Sequence, residues 1–164
     1  METQTEVLTN LYTCLANHDY EGMEKCYHPD ATFRDIGFTL EKRTPIRAMW
    51  HLISETDLRA SFKIVDGEGS PSTVDLIDEY TFPPTGKRVR NPIRSVFEFK
   101  EGLIFKHRDF CDTRQWCIDA WGPLLGLLFW LLPFLQRALT MSQYHSWVKR
   151  HSEYAKPNPK NAAS

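Results

Sequence analysis

The sequence lacks the paired cysteines and the cysteine–histidine spacings that build structural metal sites. Its four cysteines, Cys14, Cys26, Cys111 and Cys117, are scattered, and none belongs to a CxxC pair. A glycine-rich nucleotide loop is absent too, so the sequence predicts neither a cofactor nor a metal. The first residues lack the basic and apolar regions of a secretory leader. We therefore expect reduced cysteines in a cytosolic protein.

The sequence also lacks an excess of one charge. The formal net charge is −1, and phosphate binding normally requires a basic excess, so nucleic acid is not an expected partner. The longest apolar run covers residues 121–135, is broken by two glycines and two prolines, and is shorter than the ~20 residues of a spanning helix. With 164 residues and 13% aromatic side chains, the chain is expected to form one domain with a ring-rich core.

Hydrophobic periodicity places helices early in the chain and strands after them. Apolar residues recur at helical spacing in residues 5–16, and a capping aspartate precedes a short helix at 20–26. Alternation predicts strands at 32–36, 58–65, 74–82, 89–99 and 103–111. Helices followed by meandering strands favour an α+β fold, with the helices on one face of an antiparallel sheet.

Alternation also brings polar side chains to one face of the predicted sheet. Asp35 shares a strand face with Phe33, and a carboxylate drawn into apolar surroundings gains a raised pKa suited to a general base. On the last strand, His107 and Asp109 share a face with Leu103, Phe105 and Cys111. We predict that one cavity is lined by Phe33, Asp35, Asn91, Ser95, His107 and Asp109.

Other readings of these residues stay open. The alternative to the pocket interpretation of Asp35 is a strand-end carboxylate that accepts hydrogen bonds from backbone amides in a turn. His107 with Asp109 is either a base oriented by a second group or a core histidine with its hydrogen-bond partner. Tyr12 is either an oxyanion donor or a core residue of the first helix.

Several short motifs resemble the nuclear-transport-factor-2-like superfamily, which includes SnoaL-like polyketide cyclases, ketosteroid isomerase and limonene-epoxide hydrolase. The resemblance rests on Tyr12, Asn17–Asp19, Tyr27–Asp35, Met49–Trp50, Thr85–Gly86, Phe97–Phe99 with Gly102, and His107–Asp109. It implies a curved, cone-shaped sheet whose concave face is covered by N-terminal helices around an apolar pocket. It also implies a homodimer that forms through the outer face of the sheet.

The resemblance carries over to individual residues. Asp35 falls where ketosteroid isomerase has its base, and Tyr12 falls where it has its oxyanion-hole tyrosine. Ser95 falls where that enzyme has a second acid, which argues against steroid isomerisation. His107 and Asp109 lie on the strand that carries the acid/base aspartate of SnoaL-like cyclases. The arginine–any–aspartate spacing of epoxide hydrolase is absent.

These observations lead to one functional hypothesis and a rival. The hypothesis is a cofactor-independent isomerase, cyclase or hydrolase acting on an apolar small molecule, and the rival is a non-catalytic binding module. Asp35, His107 and Asp109 are the candidate catalytic residues. The candidate substrate-binding residues are Tyr12, Phe33, Trp50, Phe62, Tyr80, Asn91, Ser95 and Phe97.

The C-terminal quarter is expected to form an addition to this cone domain. We place the cone at residues 1–121, an apolar helical extension packed on it at 122–155, and a disordered tail at 156–164. The apolar run should be helical on both sides of Pro133. It should be buried against its own fold or a second subunit, with a membrane-surface contact through residues 121–135 as the alternative.

Overall fold

The computed structural model describes residues 2–155 and has a helix or a strand at each segment predicted from periodicity; it also has a short strand at 39–41 and a helix at 43–54, between the first and second predicted strands. The predicted disordered tail lies outside these residues. The helices are α1 (Gln4–Ala16), α2 (Tyr20–Lys25), α3 (Arg43–Ser54), α4 (Thr113–Trp121), α5 (Pro123–Leu131), α6 (Pro133–Arg150) and α7 (Ser152–Ala155). The strands are β1 (Tyr27–Arg34), β2 (Thr39–Glu41), β3 (Arg59–Asp66), β4 (Ser72–Phe82), β5 (Lys87–Lys100) and β6 (Leu103–Cys111).

The six strands form one curved, mixed sheet in the order β2-β1-β6-β5-β4-β3. The α+β fold and the curved sheet that the sequence predicts are confirmed. One pairing differs from the expected antiparallel arrangement, because β1 runs parallel to β6. Alternation shows which face a residue occupies but not the direction of the neighbouring strand, so this parallel pair was not predictable from the pattern.

A β-bulge in β6 corrects the predicted alternation of that strand. Glu98 pairs with Lys106 and Phe99 with Ile104, so Phe105 is the extra residue. Ile104 and His107 are both buried, whereas the Phe105 ring packs against His28. Leu103 and Phe105 therefore do not share the face of His107. Because Phe105 is taken up by the bulge, Ile104, His107 and Asp109 all point inward although they do not alternate strictly.

The core lies between the concave face of the sheet and helices α1 to α3. Tyr12 of α1 stacks on Phe62 of β3 with ring centroids 5.2 Å apart, and it meets the edge of Phe97 at 6.2 Å. Thr3 and Glu6 cap α1 reciprocally, as a capping box does. The four cysteines are all unpaired, as the sequence predicts.

The C-terminal helices extend this core along one side. Gly122, with φ of 87°, ends α4, and Pro123 begins α5 directly after it. α6 then returns to α3, where the Tyr144 hydroxyl donates to the Pro45 carbonyl (2.9 Å) and the Trp147 indole donates to Glu55 (2.8 Å). The expected helices on both sides of Pro133 are present.

The apolar run is not buried on its own fold, so that part of the expectation is wrong. Leu124 is 87% exposed, Phe134 65% and Leu131 60%. α5 packs on α4 through the side that carries Gly126, and no other element within residues 2–155 covers its opposite side. We call this area the apolar surface; its residues are Leu124, Leu125, Leu127, Leu128, Trp130, Leu131, Phe134 and Leu139.

Neither α5 nor α6 alone has the length and apolar composition needed to cross a membrane, and the same holds for every other helix in residues 2–155. The two helices pass that test only when taken together, and their axes meet at 99°.

Gly126 fixes the distance between α4 and α5. A Cβ atom at this position would overlap the backbone carbonyl of Cys117, which cannot move without disturbing α4. We predict that Gly126→Ala destabilises the protein by about 1–3 kcal/mol through overpacking. Urea unfolding measures this loss. Leu124→Ala on the same helix is the matched control and should be nearly neutral, and equal midpoints for both variants would contradict the prediction.

Candidate active site

A cavity of about 210 Å³ opens between the concave face of the sheet and helices α3, α4 and α6. Its walls are mostly apolar, and its polar groups come from the sheet and from α6. Six of the predicted site residues line it: Phe33, Asp35, Trp50, Tyr80, Asn91 and Asp109. An apolar pocket with a few convergent polar groups is the usual form of a small-molecule site.

Asp35 fits both interpretations that the sequence left open, because it accepts hydrogen bonds from turn amides and also borders the cavity. β1 ends at Arg34, one residue before Asp35, so the predicted strand at 32–36 is too long at its end. The Asp35 Oδ1 atom accepts hydrogen bonds from the backbone amides of Gly37 (2.7 Å) and Phe38. Both bonds end on Oδ1, and the carboxyl group still borders the cavity. Asp35 is therefore a turn carboxylate with one oxygen held and the other available.

The environment of Asp35 makes it more basic than an ordinary aspartate. Burial raises its pKa to about 6, and the negative charge of Asp109 adds to the rise. The amide bonds from Phe38 and Gly37 act in the opposite direction, because they stabilise the ionised form. At neutral pH the group is mostly ionised yet accepts a proton more readily than a carboxylate in water.

His107 and Ser95 do not line the cavity, which corrects the prediction for both residues. His107 is 1% exposed and lies behind Asp109, with its Nε2 atom 2.9 Å from Asp109 Oδ1. The Ser95 hydroxyl donates to the same oxygen at 2.5 Å. The bulge in β6 and the β5–β6 register, which pairs Ser95 with Asp109 and Phe97 with His107, bring these groups together. They support Asp109 instead of facing a ligand.

A chain of hydrogen bonds fixes the orientation of His107. The Trp50 indole donates to the Tyr27 hydroxyl (3.2 Å), which leaves the Tyr27 proton to be donated to His107 Nδ1 (2.7 Å). The proton of the neutral imidazole then lies on Nε2 and is donated to Asp109. The sequence did not predict this use of Tyr27. Its only signal was an aromatic hydroxyl at the start of β1.

Asp78 is a third carboxyl group at the cavity, and it is not among the candidate residues named from the sequence. It lines the cavity opposite Asn91 of β5, and its Oδ1 atom is buried without a hydrogen-bond partner within residues 2–155. Burial and, to a smaller extent, the charges of Asp109 and Asp35 together raise the pKa of Asp78 to about 8. At neutral pH Asp78 is mostly protonated, so it is able to donate a hydrogen bond. Its inward place in the alternation of β4 was the available signal.

Three other predicted site residues lie behind the cavity wall. Tyr12 packs against Phe62 and Phe97, and none of the three is in the lining. The Tyr12 hydroxyl is buried, and burial raises its pKa well above the ordinary value. Ser95 lies close enough to offset part of that rise, but the two hydroxyls make no hydrogen bond of normal geometry. Tyr12 is therefore a core residue of α1, which is the second of the two interpretations given for it.

The C-terminal helices supply cavity residues that sequence reasoning missed. The Trp116 indole of α4 donates to the Tyr80 hydroxyl (2.8 Å). On α6, the buried Gln136 accepts from the Trp121 indole (2.8 Å) and donates to the Thr140 hydroxyl (3.2 Å). A lone glutamine directly after an apolar run was the only sequence signal for this polar wall.

A second opening of about 330 Å³ adjoins the cavity around the ends of β1 and β6. Asp35, Ile36 and Asp109 border both spaces. The second opening is also bordered by Arg34, Arg108 and Arg137. Within residues 2–155, no group of three or more histidine, cysteine or acidic side chains is arranged to hold a metal ion.

Comparison with known proteins gives one family. A model of the SnoaL-like domain matches residues 8–107. A search of curated proteins finds no significant match. Among solved structures, an M. tuberculosis LEH-like epoxide hydrolase aligns with a TM-score of 0.57 and 20% identity, covering 79% of this chain and 96% of that one.

Two further structures show the same fold. SalBIII, an epoxide hydrolase/cyclase-like enzyme of pyran ring formation in salinomycin, aligns with a TM-score of 0.60 and 20% identity over 68% of this chain and 92% of its own. A Catenulispora acidiphila protein with a ketosteroid isomerase-like fold, in complex with trimethylamine, aligns with a TM-score of 0.60 and 14% identity. The alignment covers 72% of this chain and 94% of that one. At these identities the likeness establishes the fold alone.

The buried Asp78 carboxyl should make stability depend on pH. Its folded pKa is raised, so the folded protein holds a proton that the unfolded chain releases, and stability falls as pH rises from about 4 to about 8. We predict that Asp78→Asn removes much of this fall and stabilises the protein at pH 8 by an amount on the order of 3 kcal/mol.

Chemical unfolding at several pH values between 4 and 8 measures the effect of Asp78→Asn. Asp75→Asn is the matched control on the outer face of the same strand. Asp75 pairs with Arg94 and has a lowered pKa, so its removal cannot raise stability in this window. If the free energy of unfolding changes with pH equally in wild type and in Asp78→Asn, the pKa of Asp78 is not raised by folding and the prediction is wrong.

Proposed function

We propose that this chain, which belongs to the SnoaL-like domain family, is a cofactor-independent acid/base enzyme that transforms an apolar small molecule. The observation that carries this proposal is the position of Asp35. Its carboxyl group stands at the edge of an apolar cavity, with a pKa of about 6 and one oxygen held by two amides. A base works best when its pKa lies near the operating pH and its position is fixed.

The other polar groups have complementary roles in this proposal. Asp35 takes a proton from the substrate through its available oxygen. Asp78, protonated at neutral pH, donates a hydrogen bond or a proton to the oxygen on which negative charge develops. Asp109 is kept in place by His107 and Ser95 and orients the substrate, so His107 is a positioning residue.

The apolar walls suit this chemistry and limit the substrate. Phe33, Trp50, Tyr80, Trp116 and Ile93 line the cavity and exclude water from the carboxyl groups. A carboxylate surrounded by such walls is less well solvated and therefore more basic. The neighbours named as epoxide hydrolase and as cyclase-like enzyme support an isomerase, cyclase or hydrolase reaction.

We predict that Asp35→Asn lowers kcat by about 10²–10⁴-fold, because the amide cannot accept the proton. The Asn oxygen still accepts the two backbone amides, so the melting temperature should stay close to that of wild type. Turnover is measured on a panel that contains a β,γ-unsaturated cyclic ketone and a cyclic epoxide. For wild type, kcat/KM should rise through about pH 6, where the base Asp35 ionises, and fall again above about pH 8, where Asp78 loses its proton.

Asp30→Asn, at an exposed position of β1, is the control and should keep the wild-type rate. An unchanged rate in Asp35→Asn would remove Asp35 as the base. Tight binding of panel compounds without turnover by wild type would instead favour the non-catalytic binding module.

A second proposal concerns the apolar surface, for which we propose contact with a lipid membrane. Residues 123–136 contain no charged side chain, and eight large apolar side chains of α5 and α6 are exposed. Arg114, whose guanidinium lies 5.9 Å from the Trp130 ring, and Arg137 border this surface. Exposed leucine and aromatic side chains rimmed by arginines are typical of a monotopic contact.

The expected homodimer through the outer sheet face stays a prediction.

We predict that Leu124→Glu with Leu131→Glu abolishes flotation with vesicles that contain anionic lipid, while the melting temperature stays unchanged because both side chains are exposed. Val65→Glu on β3, which is 50% exposed and far along the sheet, is the control and should still float. Two results together would assign this surface to a second copy of the chain. Wild type would fail to float, and sedimentation equilibrium would show a dimer for wild type and a monomer for the double variant.

A further inference from the structure

The turn that carries the candidate base is in contact with helix α6. Arg137 donates a hydrogen bond from Nη2 to the backbone carbonyl of Asp35 (3.1 Å). One turn further along the helix, Thr140 packs so tightly on Gly37 that a Cβ atom at Gly37 would lie 2.8 Å from the Thr140 methyl carbon. Two side chains of one helix thus hold both ends of a three-residue segment.

A third contact completes a line along α6. The Phe38 ring meets the Tyr144 ring in an edge arrangement, with centroids 5.9 Å apart. Tyr144 is itself buried and bonded to the Pro45 carbonyl (2.9 Å), so its position is fixed. The three α6 positions are spaced by three and four residues, and they therefore share one face of the helix. This face covers the whole turn after β1.

The same turn supplies the amides that hold the Asp35 carboxyl group. Asp35 Oδ1 accepts from the backbone amides of Gly37 (2.7 Å) and Phe38. These bonds favour the ionised form and act against the burial that raises the pKa of Asp35. Movement of the two amides away from the carboxyl group would weaken the bonds. The contacts with α6 oppose that movement, because they reach both amide donors and the carbonyl of Asp35.

Arg137 is placed to act on the turn and not on a molecule in the cavity. It borders the second opening but does not belong to the cavity lining. Its hydrogen bond ends on a backbone carbonyl, and its side chain is half-buried. A planar guanidinium loses little conformational freedom when it donates such a bond, so it is well suited to fix a backbone segment.

We infer that Arg137 is a positioning residue, which holds the turn of the candidate base against α6 and thereby keeps both amide donors on the Asp35 carboxyl group. The inference rests on the proposed function, which gives Asp35 the role of base. It extends the machinery of the site beyond the segment that matches the SnoaL-like domain, because all of α6 follows the end of that segment at residue 107.

Two NMR measurements test Arg137 without any substrate. Arg137→Met removes the donor and keeps an unbranched apolar stem. We expect the Phe38 amide to exchange with deuterium about fivefold faster, because its turn loses an anchor. The titration midpoint of the Asp35 carboxyl carbon should rise by about one pH unit, since weaker amide bonds stabilise the ionised form less. Arg150→Met, at the exposed end of the same helix, is the control and should change neither reading.

Loss of the positive charge of Arg137 would by itself raise the pKa of Asp35, so a second variant keeps every charge. Gly37 does not have a positive φ, so alanine is compatible with its backbone, but the added Cβ would press on Thr140. Gly37→Ala should push the turn away from α6 and move both readings in the same direction as Arg137→Met. Adding Thr140→Ser removes the obstructing methyl group and keeps the hydroxyl that accepts from Gln136, so it should restore most of the wild-type readings.

The other charged and titratable groups around the Asp35 carboxyl group are the same in wild type and in all these variants. They are Asp109, His107, Arg108 and Cys111 of β6, Asp78 and Tyr80 of β4, and Arg34 of β1. A higher midpoint in Gly37→Ala therefore reports on the amide bonds and not on a changed charge.

Turnover gives a separate reading. If Asp35 is the base, Arg137→Met should lower kcat by about tenfold and leave KM nearly unchanged, because Arg137 positions the base and does not touch the substrate. The rise of kcat/KM with pH should move to the same higher midpoint that NMR gives for Asp35.

The contrary outcomes keep the two proposals apart. Unchanged amide exchange and an unchanged Asp35 midpoint in Arg137→Met would overturn the positioning role and leave Asp35 available as the base. A higher midpoint in Arg137→Met with wild-type readings in Gly37→Ala would show that only the charge of Arg137 acts, and it would also overturn the role. If Arg137→Met does not fold, the two Gly37→Ala variants decide by the same readings. Shifted readings together with full turnover in Asp35→Asn would confirm that Arg137 fixes the turn and would remove the proposed base.

Discussion

The hydrogen bond between His107 and Asp109 is the interaction on which the site depends. His107 is surrounded by rings, with centroids 4.3 Å from Phe97 and 4.8 Å from Phe33. A polar ring in such a place is tolerated only if both nitrogens have partners, because an unpaired buried group costs about 1–3 kcal/mol. Tyr27 and Asp109 are those partners. The core and the cavity are thus joined through one imidazole.

Asp109 carries this connection to the other carboxyl groups. Its charge raises the pKa of Asp35 and of Asp78, although burial is the larger cause for both. Three carboxyl groups around one cavity cannot all ionise without strong repulsion. The protein separates them by environment: amides hold Asp35, a histidine and a serine hold Asp109, and nothing in residues 2–155 bonds Asp78 Oδ1. Different environments give identical side chains different protonation states, which acid/base chemistry requires.

The sequence predicted the fold better than the site. Alternation at Phe33, Asn91 and Asp109 reflects the pleat of a strand, which depends only on local geometry, so these inward positions were recognisable. The bulge at Phe105 and the parallel β1–β6 pair depend on which strands become neighbours, and no local pattern encodes that choice. His107 faces inward as expected but lies behind Asp109, since depth behind a surface is a tertiary property. Asp78 alternates inward on β4 as Asn91 does on β5, so its inward position was recognisable in the same way.

The cavity wall comes from two separate parts of the chain. Asp35 and Asp78 lie within the segment that matches the SnoaL-like domain, whereas Trp116, Gln136 and Leu139 lie after its end at residue 107. Substitutions or insertions in the later segment can reshape the cavity without moving the carboxyl groups on the sheet. The shape of the cavity and the placement of Asp35 and Asp78 therefore depend on different segments of the chain, and a change in one segment need not alter the other.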